Sequence, residues 1–203
     1  MHRSRALIVL LLALVPLLHV GCTSTPRDNQ ELAALYRADQ ADRMPETSSG
    51  NWEQISLNDE ARQARTRQML DDGLVLTGAD YFHAAMIYQH ASTVDGVQLA
   101  HELAMISACL GHEPARWLAA ASYDRMLMDM DLPQRFGTQY RSSNDGLMKL
   151  WKMSDGATDA MRAALNVPTL EQAQAREAEM QKMIEELNNA GKEQETPPAA
   201  GTK

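Results

Sequence analysis

Four histidines, His83, His90, His101 and His112, fall within a thirty-residue window, near the internal cysteine Cys109 and the charged pair Asp124-Arg125. His-Glu occurs twice, in "HELAM" and "HEPAR". Neither is followed by the second histidine that a helical HExxH zinc site needs. No compact ligand pair stands at i,i+3 or i,i+4, so neither a metal nor another cofactor is expected. Cys109 sits beside Ile106 and Leu110 and reads as a buried structural thiol, with no local motif to make it a nucleophile. Gly137-Thr138-Gln139 is too short to cradle a phosphate, and the P-loop lysine, GxGxxG and GxSxG are all missing.

The stretch "DRMLMDMDLPQRFGTQY", residues 124–140, is more telling. Asp124 and Arg125 interrupt a helical run, Trp117 to Met128, that leaves almost no solvated face. An unpaired buried charge costs several kcal/mol, so at least one of the two needs partners. Adjacent helical residues point about 100° apart, so the two cannot satisfy each other. Candidate partners are Gln89 and His90, Asp39 or Arg43, and the glutamines beyond Pro133, Gln134 and Gln139.

Positioning these residues falls to helices. Aromatics are few and Ala, Leu and Met many, which favours a mainly α fold. A first helix spans residues 30–44, with Pro45 as its stop. A charged helix over 56–73 reads as a surface element. Residues 78–92 are apolar nearly all round and should be central. Residues 94–111 and 112–131 form the next two helices, and their junction, "CLGHEPARWLAAA", resembles the turn of a helical-hairpin repeat of the tetratricopeptide and Sel1 type. Beyond Pro133, "RFGTQYR" and "LMKLWKM" flank an Asn-Asp-Gly turn and predict a β-hairpin. A short helix over 156–167 and a long amphipathic one from Pro168 complete the domain, with Glu177 breaking the apolar seam of the last. The expected architecture is an irregular helical bundle with one helical-hairpin-like pair and a small β-hairpin.

The chain ends bound where the protein works. "MHRSRALIVLLLALVPLLHVGC" has a basic start and an apolar run too short to span a bilayer comfortably, as in a signal peptide. Val20-Gly21-Cys22 resembles the end of a bacterial lipobox, with His19 where Leu is usual. The resemblance implies cleavage before Cys22, acylation of its thiol and anchoring in a membrane. With Thr23 rather than Asp next, it implies the outer membrane, facing the periplasm. Loss of Arg3 and Arg5 would deepen a net charge already at −8, which disfavours nucleic acid as a partner. The expected organisation is a signal peptide over 1–21, acylated cysteine and tether over 22–30, one helical domain over 31–189 and a disordered tail over 190–203.

Four short motifs occur in order: Asp39-Gln40 with Arg43, Gln89-His90-Ala91, Asp124-Arg125, and Gln134-Arg135-Phe136-Gly137-Thr138-Gln139. In this order they resemble a bacterial domain family of unknown function, over residues 31 to 175. Phe136 stands where tyrosine is common in that family. The resemblance implies where a site lies and carries no activity.

The leading expectation is therefore an envelope lipoprotein that binds an unidentified partner or small ligand through a polar cluster of Gln89, His90, Asp124, Arg125, Gln134, Thr138 and Gln139, with Asp39, Gln40 and Arg43 behind it. Arg125 would supply a planar donor fork. One alternative is a hydrolase using His90 as base, oriented by Asp124. Another is an envelope scaffold, docking through its last helix, in which the polar network is purely structural.

Overall fold

A computed structural model describes residues 25–44, 50–143 and 146–195, with side chains to residue 186. The signal segment, Cys22, Pro45 and residues 196–203 lie outside the described residues. Within them the protein is mainly helical with one small antiparallel sheet, and no helix is long and apolar enough to cross a membrane.

Helix α1 (Gln30–Ala41) starts where the Asn29 side chain accepts hydrogen bonds from the Glu31 and Leu32 amides. These satisfy two of the amides that a helix start leaves open. Helix α2 (Trp52–Asp71) begins earlier than its apolar pattern suggests. Its buried residues, Ile55, Asp59, Arg62, Thr66 and Met69, follow spacings of three and four, so they share one face. That face is mostly polar, which is why the helix reads as a surface element.

Helix α3 (Gly78–Tyr88) is central as expected, packing against α1, α2 and the next two helices. It opens with a capping box: Thr77 accepts from the Asp80 amide, and the Asp80 carboxylate accepts from the Thr77 amide. Asp80 is fully buried and also accepts from the amides of Asn29 at 2.7 Å and Leu76 at 3.1 Å. The start of α1 is thereby pinned to the start of α3.

Helices α4 (Val94–Cys109) and α5 (Ala115–Asp129) form the expected hairpin and the most extensive helix–helix contact. The core face of α4 is not the stripe of large residues. Val97, Ala100, Leu103, Ala104 and Ser107 face inward, while Ile106 and Leu110 are exposed. Small residues let α3 and α5 approach closely and leave the bulky ones outside. Cys109, expected to be buried, is exposed for the same reason. Gly96 marks the tightest approach: a Cβ there would lie 2.4 Å from that of Ala91.

The hairpin is shorter than predicted. Strands β1 (Tyr140–Ser142) and β2 (Met148–Leu150) pair antiparallel, Tyr140 opposite Leu150, and Asn144-Asp145 lies outside the described residues. Residues 135–139, expected as the start of the first strand, bend together with Gln134 into a compact loop. Helix α6 (Asp159–Ala164) leads to α7 (Leu170–Glu195), which packs on β2. Glu177, the break in the α7 seam, closes an otherwise open strand edge, its carboxylate accepting from the Leu150 amide at 3.0 Å. Helix α7 runs through 190–195, so the tail expected from Ala190 is helical over its first residues.

Candidate functional site

The predicted cluster is two clusters. Asp124 lies on the inner face of α5 and is 0% exposed. Its Oδ1 accepts from the Arg135 amide at 2.7 Å and the Phe136 amide at 3.0 Å. Its Oδ2 accepts from the Thr138 amide at 3.1 Å and the Thr138 hydroxyl at 2.8 Å. Both oxygens are engaged by one loop, and charge-assisted bonds of this kind are roughly twice as strong as neutral ones.

That loop is also closed from within and from behind. Gln134, fully buried, accepts from the Gln139 amide through Oε1 at 2.8 Å. Its Nε2 donates to the carbonyls of Gln139 and Trp151, both at 3.0 Å. Gln139 donates in turn to the Ala121 carbonyl of α5 at 3.1 Å. Buried Arg162 of α6 donates from Nε to the Phe136 carbonyl at 3.0 Å and from Nη1 to Ala157 O and Asp159. The Phe136 residue is thus clamped by opposite charges, Asp124 at its N–H and Arg162 at its C=O. Gly137 permits the bend with φ +84°, a conformation costing other residues about 1–2 kcal/mol.

The remaining predicted residues lie elsewhere. Arg125 does not join Asp124. Its side chain is 35% exposed and pairs with Asp129 one turn on, at 3.1 Å. Consecutive helical residues diverge by about 100°, so Arg125 points away from the loop that Asp124 holds. His90 lies in the turn after α3 and places Nδ1 3.2 Å from Oδ1 of buried Asp39. Asp39 also accepts from Arg43 at 3.0 Å and from Gln40 at 2.8 Å. Arg43 continues to Asp59 at 2.6 Å, and Arg62 bonds both Asp59 and Asp42. A hydrogen bond from Asn58, aided by Arg62 and Arg43, holds the Asp42 carboxyl below its ordinary range. This second network joins α1, α2 and the end of α3. Gln89 lies in that turn, its Oε1 buried without a hydrogen-bond partner among the described residues. His83 stacks on Tyr36 of α1, centroids 4.6 Å apart, so both histidines of the α3 segment face α1.

His90 and Asp124 therefore serve different networks, and the base–orienter pair that a hydrolase would need is not formed. Among the described residues no group of three or more His, Cys, Asp or Glu is arranged to hold a metal.

Sequence reasoning missed Asp80, Asp59, Arg62 and Arg162. Asp80 was legible, since "TGAD" has capping-box spacing. Asp59 and Arg62 were hidden because α2 is charged all round. Nothing local distinguishes Arg162 from a solvated arginine.

Two clefts flank the 134–139 loop. One, about 340 Å³, lies among α5, the loop, β1, β2 and α7, with Trp117, Gly137, Thr138, Tyr140, Gln172, Arg176 and Met180 on its walls. The other, about 250 Å³, is apolar and is lined by His101, Tyr123, Phe136 and Leu165, among others. His101 Nδ1 donates to the Ala119 carbonyl at 2.8 Å, because a carbonyl can only accept. The Asp124 loop is the wall between the two clefts.

Comparisons with protein-family models, with curated proteins and with solved structures return no match. The roles assigned to the four ordered motifs consequently rest on geometry.

Proposed function

We propose that this is a bacterial envelope lipoprotein, anchored in the outer membrane through acylated Cys22, whose helical domain binds a small ligand in the cleft between the 134–139 loop and α7. One observation supports the cleft above all. A fully buried carboxylate, Asp124, uses both oxygens to hold a loop whose other side, Gly137 and Thr138, forms a wall of an open cleft of about 340 Å³. That volume falls within the range of small-molecule sites. On this reading Asp124, Gln134 and Gln139 position the cleft wall and do not touch the ligand.

A fragment screen by protein-observed NMR tests the binding role. Hits should shift the amides of Gly137, Thr138 and Gln172 to Arg176 in a saturable way, and Trp117→Ala should weaken them. A screen without saturable hits, or with hits only elsewhere, would overturn it. The anchor has its own test: mass spectrometry of the membrane fraction should find a lipid-modified N-terminal Cys22, and Cys22→Ala should release the chain from that fraction. A chain carrying unmodified residues 1–21 would refute the anchor.

A further inference from the structure

We infer that the cleft beside α7 takes a small organic anion, its apolar body against Trp117, Met148 and Met180 and its charge on Arg176. This rests on the binding role proposed above and adds the class of ligand. Most polar groups on the cleft walls are already committed to the fold. Thr138 donates its hydroxyl to Asp124 and accepts from Gln139. Tyr140 donates its hydroxyl to the Ala173 carbonyl at 2.9 Å. Gln172 uses its oxygen to accept from the Thr169 amide at 2.9 Å, while the Thr169 hydroxyl accepts from the Gln172 amide at 3.2 Å, a capping box at the start of α7. Among the described residues, the Gln172 amide nitrogen, the Trp117 indole N–H and the Arg176 guanidinium remain uncommitted. All three are donors, and a guanidinium and an indole N–H have no other capacity.

Among the described residues, Arg176 is the single formal charge on the walls of this cleft. It makes no ion pair among the described residues, although acids stand on either side of it. Glu177 is turned away to the Leu150 amide and Gln181. Glu179 lines the adjoining groove with Arg176 without pairing to it. The guanidinium lies close enough to the cleft wall to lower the pKa of Tyr140 in part, opposing the rise that burial causes. A set of uncommitted donors with one free cation, above an apolar floor, matches a carboxylate or sulfonate on an apolar body. A planar guanidinium accepts such a group through two parallel hydrogen bonds.

The probes are 4-phenylbutyrate and its neutral isostere 4-phenylbutyramide, titrated against the full chain with ligand-observed NMR and with Thr138, Gln172 and Arg176 amide shifts as reporters. The carboxylate should bind the cleft about tenfold more tightly than the amide, a difference of about 1.4 kcal/mol. Arg176→Gln should remove that tenfold preference. Equal affinity of the two probes, or a preference that survives Arg176→Gln, overturns the anion assignment while the cleft remains a binding site. Binding of neither probe also overturns it if other fragments still occupy the cleft. If no fragment occupies the cleft, the binding role and the anion assignment fall together.

Discussion

At the scale of single residues, aspartates dominate. Asp39, Asp80 and Asp124 are all fully buried; Asp39 and Asp80 each tie α1 to the α3 segment, and Asp124 holds one loop. Asp124 is the most committed. Asp124→Ala would strand the Arg135, Phe136 and Thr138 amides without acceptors, a loss of about 3–5 kcal/mol. Urea denaturation should show that loss, and hydrogen exchange should show those amides deprotected. Asp124→Asn keeps the shape but turns half of the acceptor into a donor facing donors, so it should recover only part of the stability. Arg125→Ala, beside it, should change stability by no more than about 0.5 kcal/mol, since its pair with Asp129 is solvated. Gly137→Ala should cost about 1–2 kcal/mol by backbone strain alone, because a Cβ there would meet Ala173 at an ordinary 3.6 Å.

At the scale of elements, the loop over 134–139 exists because α5 and α6 present opposite charges to one residue. Asp124 and Arg162 should therefore be energetically coupled although they are on different helices. A double-mutant cycle with Asp124→Asn and Arg162→Met should give a coupling of about 1–2 kcal/mol. Additive losses would mean that the two ends of Phe136 are held independently. The helices themselves were largely legible, because their caps and apolar periodicity are local. The site was legible in part. Asp124, Gln134, Thr138 and Gln139 do converge, as their spacing on either side of Pro133 suggested. The expectation that Arg125 and His90 join them failed for a physical reason. Sequence shows that a charge needs a partner, but not which of several helices the turn after α3 will bring near. Charged residues on the inner face of α2, Asp59 and Arg62, supplied partners for the α1 motif, and these were invisible in a helix polar on every side.

At the scale of the whole molecule, His83 couples the α1–α3 interface to acidity. Burial, above all, lowers its pKa from the ordinary 6.5, with Asp80 and Asp28 opposing and His112 and Arg37 assisting. A lowered folded-state value means that the unfolded chain takes up the proton first. Stability is then full above the unfolded value and is lost as pH falls through it towards the folded value. Thermal midpoints should fall as pH drops from about 7 to about 5, and His83→Phe should flatten that slope. His83→Phe should also raise stability by about 1 kcal/mol at neutral pH, since the buried Nδ1 has no hydrogen-bond partner among the described residues and an apolar ring removes that cost.

Gln134 carries a consequence for how mutations will be tolerated. Its side-chain amide acts as an additional peptide group, accepting from Gln139 and donating to Gln139 and Trp151. Glutamate would set a carboxylate against two carbonyls, and asparagine is one methylene too short. A saturation scan read out as folded protein abundance should consequently find Gln134 as intolerant as a core leucine, along with Asp124 and Arg162. The same scan should find Trp117 and Arg176 permissive for abundance. Selection for function would constrain those two instead, so the two readouts would divide the loop that shapes the cleft from the residues that use it.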